Sequence, residues 1–296
     1  MKDTAPLHIY GVNHSPWVQG VILNCHLLNI PYSLNSCPDS VDSYLSDGMV
    51  MPVCRWPNGT RTRDSFSIMR ELQDISAPGN SDALLTREDQ EALERLFFSY
   101  ALARSRGKRK LQFVLEWSTM PTGHGAGFAS CFRAFMCLYF LLMLTVGRFI
   151  ARKRGADPDT YERFERHLEP WVQRLNTSPY LSGEQPGSLD CAFMGHIQCM
   201  TSGLTDDVIP LLSHHDALTA WLERMHQSLD GYPHDFSLRV RQMSHRPKRA
   251  SLSDQALFWG TLVLTVIGFP VTLVLLMDAM RRRKKNPARS GAALTS

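Results

Sequence analysis

Short runs of alternating apolar and polar residues fill the first eighty positions, and helical spacing dominates afterwards. The stretch "LHIYGV", residues 7–12, predicts a strand, and Val18, Val21, Ile22, Cys25 and Leu28 then recur on one face of a helix. "IPYSLNS" predicts a second strand after Pro31, and "CPDSVDSYLSDG" is irregular and polar. Asn58-Gly59 predicts a hairpin whose tight two-residue turn needs positive φ at both positions, with residues 51–56 and 60–63 as its arms. A helix follows from about Ser65, with Ile68, Met69, Leu72 and Ile75 spaced to pack on a sheet. Pro52 opens a strand arm, where proline is unusual unless the strand is at an edge or its peptide bond is special, so a cis bond after Met51 is allowed.

Beyond residue 80 the pattern is helical. Thr86 begins a helix with a Thr-x-x-Asp cap, Asp157-Pro158 opens another towards Leu175, and Asp190 begins a third with Gly187 where a capping Ser or Thr is usual. His196 and Cys199 on that helix read as core residues. Tyr100, Arg104, Phe113 and Trp117 read as a packed helix face, with a second-substrate pocket as the alternative.

Two uncharged runs differ in length. Residues 257–277 would form a helix about 31 Å long, which matches a bilayer's hydrocarbon core. Trp259 lies near one end, and basic residues flank both sides: Arg239, Arg241, Arg246, Lys248 and Arg249 before, and Arg281, Arg282, Arg283, Lys284 and Lys285 after. Gly268 and Pro270 interrupt the middle, so a kinked span and a re-entrant hairpin both remain open. Residues 134–147 make a helix of only about 21 Å, which is the length of a core helix rather than a span, a second membrane contact being the alternative.

Charge and cysteine content narrow the chemistry. Six of the 32 basic residues fall at 281–289, leaving the rest of the chain with 26 against 28 acidic residues, so nucleic-acid binding has no basis. Seven cysteines at unrelated spacings, with no C-x-x-C, imply reduced thiols and no zinc cluster; no metal is expected. His214-His215 falls in an interhelical loop and forms no ligand set. The N-terminal "MKDTAPLHIYG" has no apolar export core.

The stretch "HSPWVQG" holds the candidate chemistry. Ser15 suits an N-cap and Pro16 the first helical position, so the pair can simply start a helix. A hydroxyl there can also donate to a bound thiolate, with the helix N-terminus adding positive potential. Together "SPWVQGVILNCHLLNIPYS", "MVMPVCRWPNGTRTRDSFSIMREL" and "PYLSGEQPGSLDCAFMGHIQ" resemble, in order and spacing, the glutathione transferase superfamily over residues 7 to about 230.

The resemblance implies an α+β chain: a thioredoxin-like glutathione-binding domain (1–78), then an all-α helical domain (86–235). A basic linker (236–256), a transmembrane or re-entrant helix (257–277) and a basic tail (278–296) would follow. It implies Ser15 as the catalytic hydroxyl and Trp17, Pro52, Val53, Asp64 and Ser65 as glutathione-binding positions, with Pro52 cis, the Val53 backbone pairing with the cysteinyl part and Asp64-Ser65 holding the γ-glutamyl end. Glutathione would be co-substrate for conjugation to apolar electrophiles or for peroxide reduction, a detoxifying role. Ser rather than Cys at position 15 disfavours thiol–disulfide exchange. Expected partners are an apolar second substrate, membrane lipid and a second copy of the chain, with the body facing the cytoplasm. Residues 36–50 lack the base that many members use for glutathione's glycine carboxylate; Arg55 or a partner subunit would have to substitute. A non-catalytic scaffold or thiol sensor at a membrane is the alternative.

Overall fold

The computed structural model describes residues 6–12, 15–35, 37–38, 40, 43, 46–48, 50–76, 85–106, 111, 113–115, 127–201, 208–229, 232 and 250–285. Strand β1 (Leu7–Tyr10) leads through helix α1 (Pro16–Leu27) to β2 (Tyr32–Asn35), which pairs parallel to β1 with Leu7 opposite Tyr32. β3 (Val53–Arg55) and β4 (Arg61–Arg63) form an antiparallel hairpin on the other side of β1, and α2 (Ser65–Ser76) follows. The strand order β2-β1-β3-β4 in one mixed sheet, with a β-α-β half followed by a β-β-α half, is a thioredoxin-like arrangement.

The hairpin differs from the expected tight turn. Gly59 alone has positive φ (85°), its N–H donates to the Trp56 carbonyl, and Trp56 N–H donates to the Thr60 carbonyl. The loop is therefore three residues, Pro57-Asn58-Gly59, because Pro57 favours an ordinary first turn position and Gly59 takes the left-handed one. The Asn58 side-chain oxygen holds Thr60 through both its N–H (2.9 Å) and its hydroxyl (2.7 Å).

The later helices are α3 (Arg87–Arg104), α4 (Phe128–Lys153), α5 (Glu162–Thr177), α6 (Ser188–Thr201), α7 (Ile209–Ser213), α8 (Asp216–Ser228), α9 (Leu252–Ile267) and α10 (Phe269–Lys285). A reciprocal Thr86–Asp89 capping box starts α3, as its sequence predicts. α5 begins at Glu162 rather than at Pro158. Asp157 instead accepts the Asp159 N–H in a turn, and Asp159 is held by Arg148 and Arg152 of α4, so this segment serves as an inter-helix clasp. Arg148, nearly buried, also donates to the Leu102 carbonyl near the end of α3.

α6 is the central helix; every residue from Ser188 to Thr201 is buried. Its start is secured without a capping side chain at Gly187. Asp190, fully buried, accepts from the backbone N–H groups of Leu181 (2.8 Å), Ser182 (3.0 Å) and Gly187 (3.1 Å) and from Trp221 Nε1 (2.8 Å). The Gly187 bond is one half of a capping box, and the other three donors replace the missing half. Trp171 stacks on Phe193 with centroids 5.2 Å apart, and Phe193 meets Trp221 at 5.1 Å.

The sheet and the helical layer meet where α1 crosses α6. A Cβ on Gly195 would lie 2.5 Å from Gly20 N and 2.7 Å from the Pro16 carbonyl oxygen, so only glycine lets these backbones touch. A buried polar pair registers the crossing, Ser188 of α6 donating to the Asn24 side-chain oxygen of α1 at 3.0 Å, and Tyr232, beyond α8, donates to that of Gln19 at 2.9 Å.

The uncharged C-terminal run is two helices. α9 and α10 meet at Gly268 with a 78° bend. α9 packs on α4: Phe258 is fully buried, Leu262 reaches the main core, and Thr261 Oγ1 donates to Cys131 Sγ at 3.2 Å. α4 is longer than the uncharged run inside it. At 26 residues it is long and apolar enough to cross a membrane, which the 14-residue run alone is not; Ala134, Cys137 and Leu144 are buried in the helical layer, while Val146, Phe149 and Ile150 are exposed, so both the core reading and a second membrane contact remain open for it.

Candidate functional site

Three chain segments converge at one end of the thioredoxin-like unit: those leading into α1, into β3 and into α2. Ser15 sits at the N-cap of α1 with extended backbone (φ −74°, ψ 130°), and Pro16 occupies the first turn. Its N–H donates to the Val12 carbonyl and its carbonyl accepts from Gln19, both at 2.9 Å. Its side chain makes no cap hydrogen bond. The hydroxyl is therefore not committed to starting the helix, which corrects half of the sequence expectation. Pro16 presets the first turn, so the helix starts without it.

The peptide bond between Met51 and Pro52 is cis. The Pro52 carbonyl accepts the Asp64 N–H at 3.1 Å, which joins the start of β3 to the start of α2. Asp64 is in the left-handed region (φ 62°), which Asp tolerates better than most residues. Its carboxylate accepts from the Ser67 N–H (2.9 Å) and hydroxyl (3.2 Å) and so caps α2. A second tie lies beneath the hairpin: Trp56 Nε1 donates to Thr62 Oγ1 (2.8 Å), and Thr62 donates to Glu71 of α2 (2.7 Å). Burial raises the Glu71 pKa.

Val53 pairs with Tyr10 on one side and Arg63 on the other. Ser65 is buried and lines a small cavity with Pro16, Trp17, Gly20, Gln90 and His196. Five of the six predicted positions, Ser15, Pro52, Val53, Asp64 and Ser65, thus lie on the three converging segments. Trp17 differs. Its ring turns into the helical layer, edge-on to Phe97 (5.2 Å) and His196 (5.7 Å), because residue 17 falls on the side of α1 that faces α3 and α6.

Gly11 and His196 are site neighbours that the pattern did not single out. A Cβ on Gly11 would be 2.4 Å from Val18 Cγ2 and 3.5 Å from Pro52 Cα, so glycine brings the end of β1 against the first turn of α1 and against cis-Pro52. His196 Nδ1 lies 2.8 Å from the Ala192 carbonyl and so carries the proton as donor, while Nε2 is buried with no partner among the described residues. Burial lowers its pKa to about 4, so the ring is neutral at physiological pH. The identity of a lone buried His on a helix reads equally as core, which is why spacing could not reveal it.

The cationic groups beside Val53 are engaged. Arg61 (2.8 Å) and Arg63 (3.0 Å) both pair with the nearly buried Asp47, and Arg55 is exposed on β3. All seven cysteines are free. Burial pushes the Cys54 thiol up to about 12 and raises Cys25, Cys191 and Cys199, so these stay protonated and are poor nucleophiles. Tyr100 is buried against Phe113 and Phe164, as a packed face rather than a pocket wall; Trp117 lies outside the described residues. Among the described residues, no three His, Cys, Asp or Glu side chains gather as a metal site.

No protein-family profile matches this chain, and no curated protein matches it. Solved structures do. A glutathione transferase of Bombyx mori is 16% identical over 78% of this chain and 92% of its own, with a TM-score of 0.46. A glutathione S-transferase from Pseudomonas fluorescens is 17% identical over 78% and 97%, at 0.43. A glutathione transferase of Populus trichocarpa is 13% identical over 81% and 100%, at 0.47. The thioredoxin-like character of the first unit rests on its own strand order and connections, not on these scores.

Proposed function

We propose that this chain is a membrane-anchored glutathione transferase-like enzyme. It would hold glutathione across the starts of β3 and α2 and stabilise the thiolate with the Ser15 hydroxyl at the head of α1. The observation that carries this reading is the union of cis-Pro52, left-handed Asp64 and Ser65 in one hydrogen-bonded corner, beside a Ser15 hydroxyl not used as a cap. A hydroxyl donating to sulfur and the positive end of a helix both favour the charged thiol. Burial holds the Cys25, Cys54, Cys191 and Cys199 thiols protonated, which supports a thiol nucleophile brought by the ligand. The thiolate would attack an apolar electrophile or reduce a peroxide.

Residues 257–277 would anchor the protein to lipid with the body on the cytoplasmic side, where reduced glutathione is abundant, and raise its encounter with bilayer-dissolved substrates. A homodimer would be compatible with a base supplied by a partner subunit. In this scheme the domains keep their limits at 1–78 and 86–235.

A second reading has its own support. The Asp64 carboxylate is already spent on Ser67, and Arg61 and Arg63 on Asp47, which leaves fewer charged groups for a ligand's ammonium and carboxylates respectively. A non-catalytic scaffold or thiol sensor would show this pattern. Ultraviolet thiolate absorbance of bound glutathione against pH separates the two. The enzyme reading predicts a bound thiol titrating well below its free value of about 8.5, with turnover of an apolar electrophile. Binding with an unshifted thiol and no turnover selects the scaffold.

A further inference from the structure

The tail has one covered face and one bare face. On α9, Phe258 and Thr261 are turned to α4, while Leu264 and Ile267 are 70% and 73% exposed. After the bend, Val271 and Val274 of α10 are each 65% exposed. Bare aliphatic side chains in this density mark a surface that meets something apolar. Arg281, Arg282, Arg283, Lys284 and Lys285 close α10 and suit an anionic lipid surface; in sequence, five more basic residues at 239–249 precede α9.

Geometry decides how the tail can sit in that lipid. The uncharged part of α9, residues 255–267, is about 20 Å long. The uncharged start of α10, residues 269–277, is about 14 Å long, but at 78° to α9 it adds only about 3 Å along the same axis. The bent pair therefore falls short of the roughly 30 Å hydrocarbon core. Crossing it would require straightening at Gly268, because α10 runs nearly across the axis of α9 while α9 itself is docked on α4.

Resting on the membrane reading above, we propose that the tail is monotopic: α9 stays docked on α4 with its bare face in lipid, the bend at Gly268 keeps α10 in the same leaflet, and the basic end returns to the side that holds the body. The lipid-embedded part is then continuous with the helical unit, so the body is held in a fixed attitude to the membrane rather than swinging on a tether.

The test uses the full chain with an epitope tag after Ser296, made in cells, with protease added to sealed membranes. The expected result is loss of at least about nine-tenths of the tag without detergent, on the face where the body is also cut. The variant Gly268→Leu/Pro270→Leu, which removes the break, is expected to place the tag on the opposite side from the body. A wild-type tag and body on opposite sides, or a straightened variant indistinguishable from wild type, overturns the proposal. Protein released by carbonate into the soluble fraction overturns the anchor itself, as would be expected if the bare face instead pairs with a second copy. In that case glutathione binding still reports separately on the enzyme reading.

Discussion

Replacing Gly195 by Ala tests whether the contact between α1 and α6 positions the candidate site. The added Cβ would sit 2.5 Å from Gly20 N, 2.7 Å from the Pro16 carbonyl oxygen and 3.0 Å from Gly20 Cα. All three are backbone atoms of α1, so no side chain can swing aside. Comfortable contact needs about 3.5 Å, so the helices must part by about 1 Å. Overpacking of this kind costs about 1–3 kcal/mol, and strain against two backbones belongs at the upper end. Alanine returns about 1 kcal/mol through helix propensity. The net loss is about 2 kcal/mol, or roughly 4–8 °C in Tm for a chain of this size. Gly20→Ala is the internal control: its Cβ would be 3.1 Å from Ala192 Cα, a milder intrusion that the propensity gain of about 1 kcal/mol nearly cancels. Thermal unfolding of the full chain in mild detergent, followed by near-ultraviolet circular dichroism, reads both. Because Pro16 follows Ser15 directly, Gly195→Ala is also expected to weaken glutathione binding. A Gly195→Ala protein as stable as wild type, or more stable than Gly20→Ala, would refute the close crossing.

Ser15→Ala is expected to leave thermal stability within about 0.5 kcal/mol of wild type, since the hydroxyl makes no cap bond, while raising the bound thiol's pKa and cutting turnover; a stability loss near 1 kcal/mol with an unchanged thiol titration would make it a helix cap only. Asp190→Ala strands four donors, two of them in buried bonds, and is expected to cost about 3–5 kcal/mol, seen as loss of cooperative unfolding or of soluble expression. His196 has a folded pKa of about 4 against about 6.5 unfolded, so the unfolded chain binds the extra proton between those values. Its contribution is fully present above about pH 6.5 and is lost as pH falls towards 4, at most about 3 kcal/mol; His196→Gln should flatten that slope in urea melts taken from pH 7 to 4, and an unchanged slope would show that other groups carry it.

The order of strands and helices through α3 was legible in the sequence because each element has a clear period and a boundary residue: Pro16 at the first position of α1, Gly59 in the hairpin, Thr86 before α3. The residues alone only allowed the cis bond at Pro52; the family resemblance implied it, and the structure has it. The errors share a cause, since they depend on which partner wins a group's hydrogen bond or face. Asn58-Gly59 signalled a hairpin, but Pro57 decided its loop length. Asp157-Pro158 looked like a helix start, yet Arg148 and Arg152 near the end of the preceding helix α4 draw Asp159 into ion pairs. Gly187 looked like a weak cap because the three further donors to Asp190 lie outside the motif. The glycine contact across α1 and α6 pairs positions 175 residues apart, which no local pattern encodes.

A glutathione site at the corner of Ser15, Pro52, Val53, Asp64 and Ser65 is tested most directly by titration calorimetry of the full-length protein with glutathione. Saturable heat is expected at sub-millimolar to millimolar ligand. Ser65→Ala should weaken binding by about ten- to a hundredfold, corresponding to about 1.5–3 kcal/mol for a hydrogen bond to a charged group. No heat from folded wild-type protein at millimolar glutathione, or equal affinity in Ser65→Ala, would contradict it.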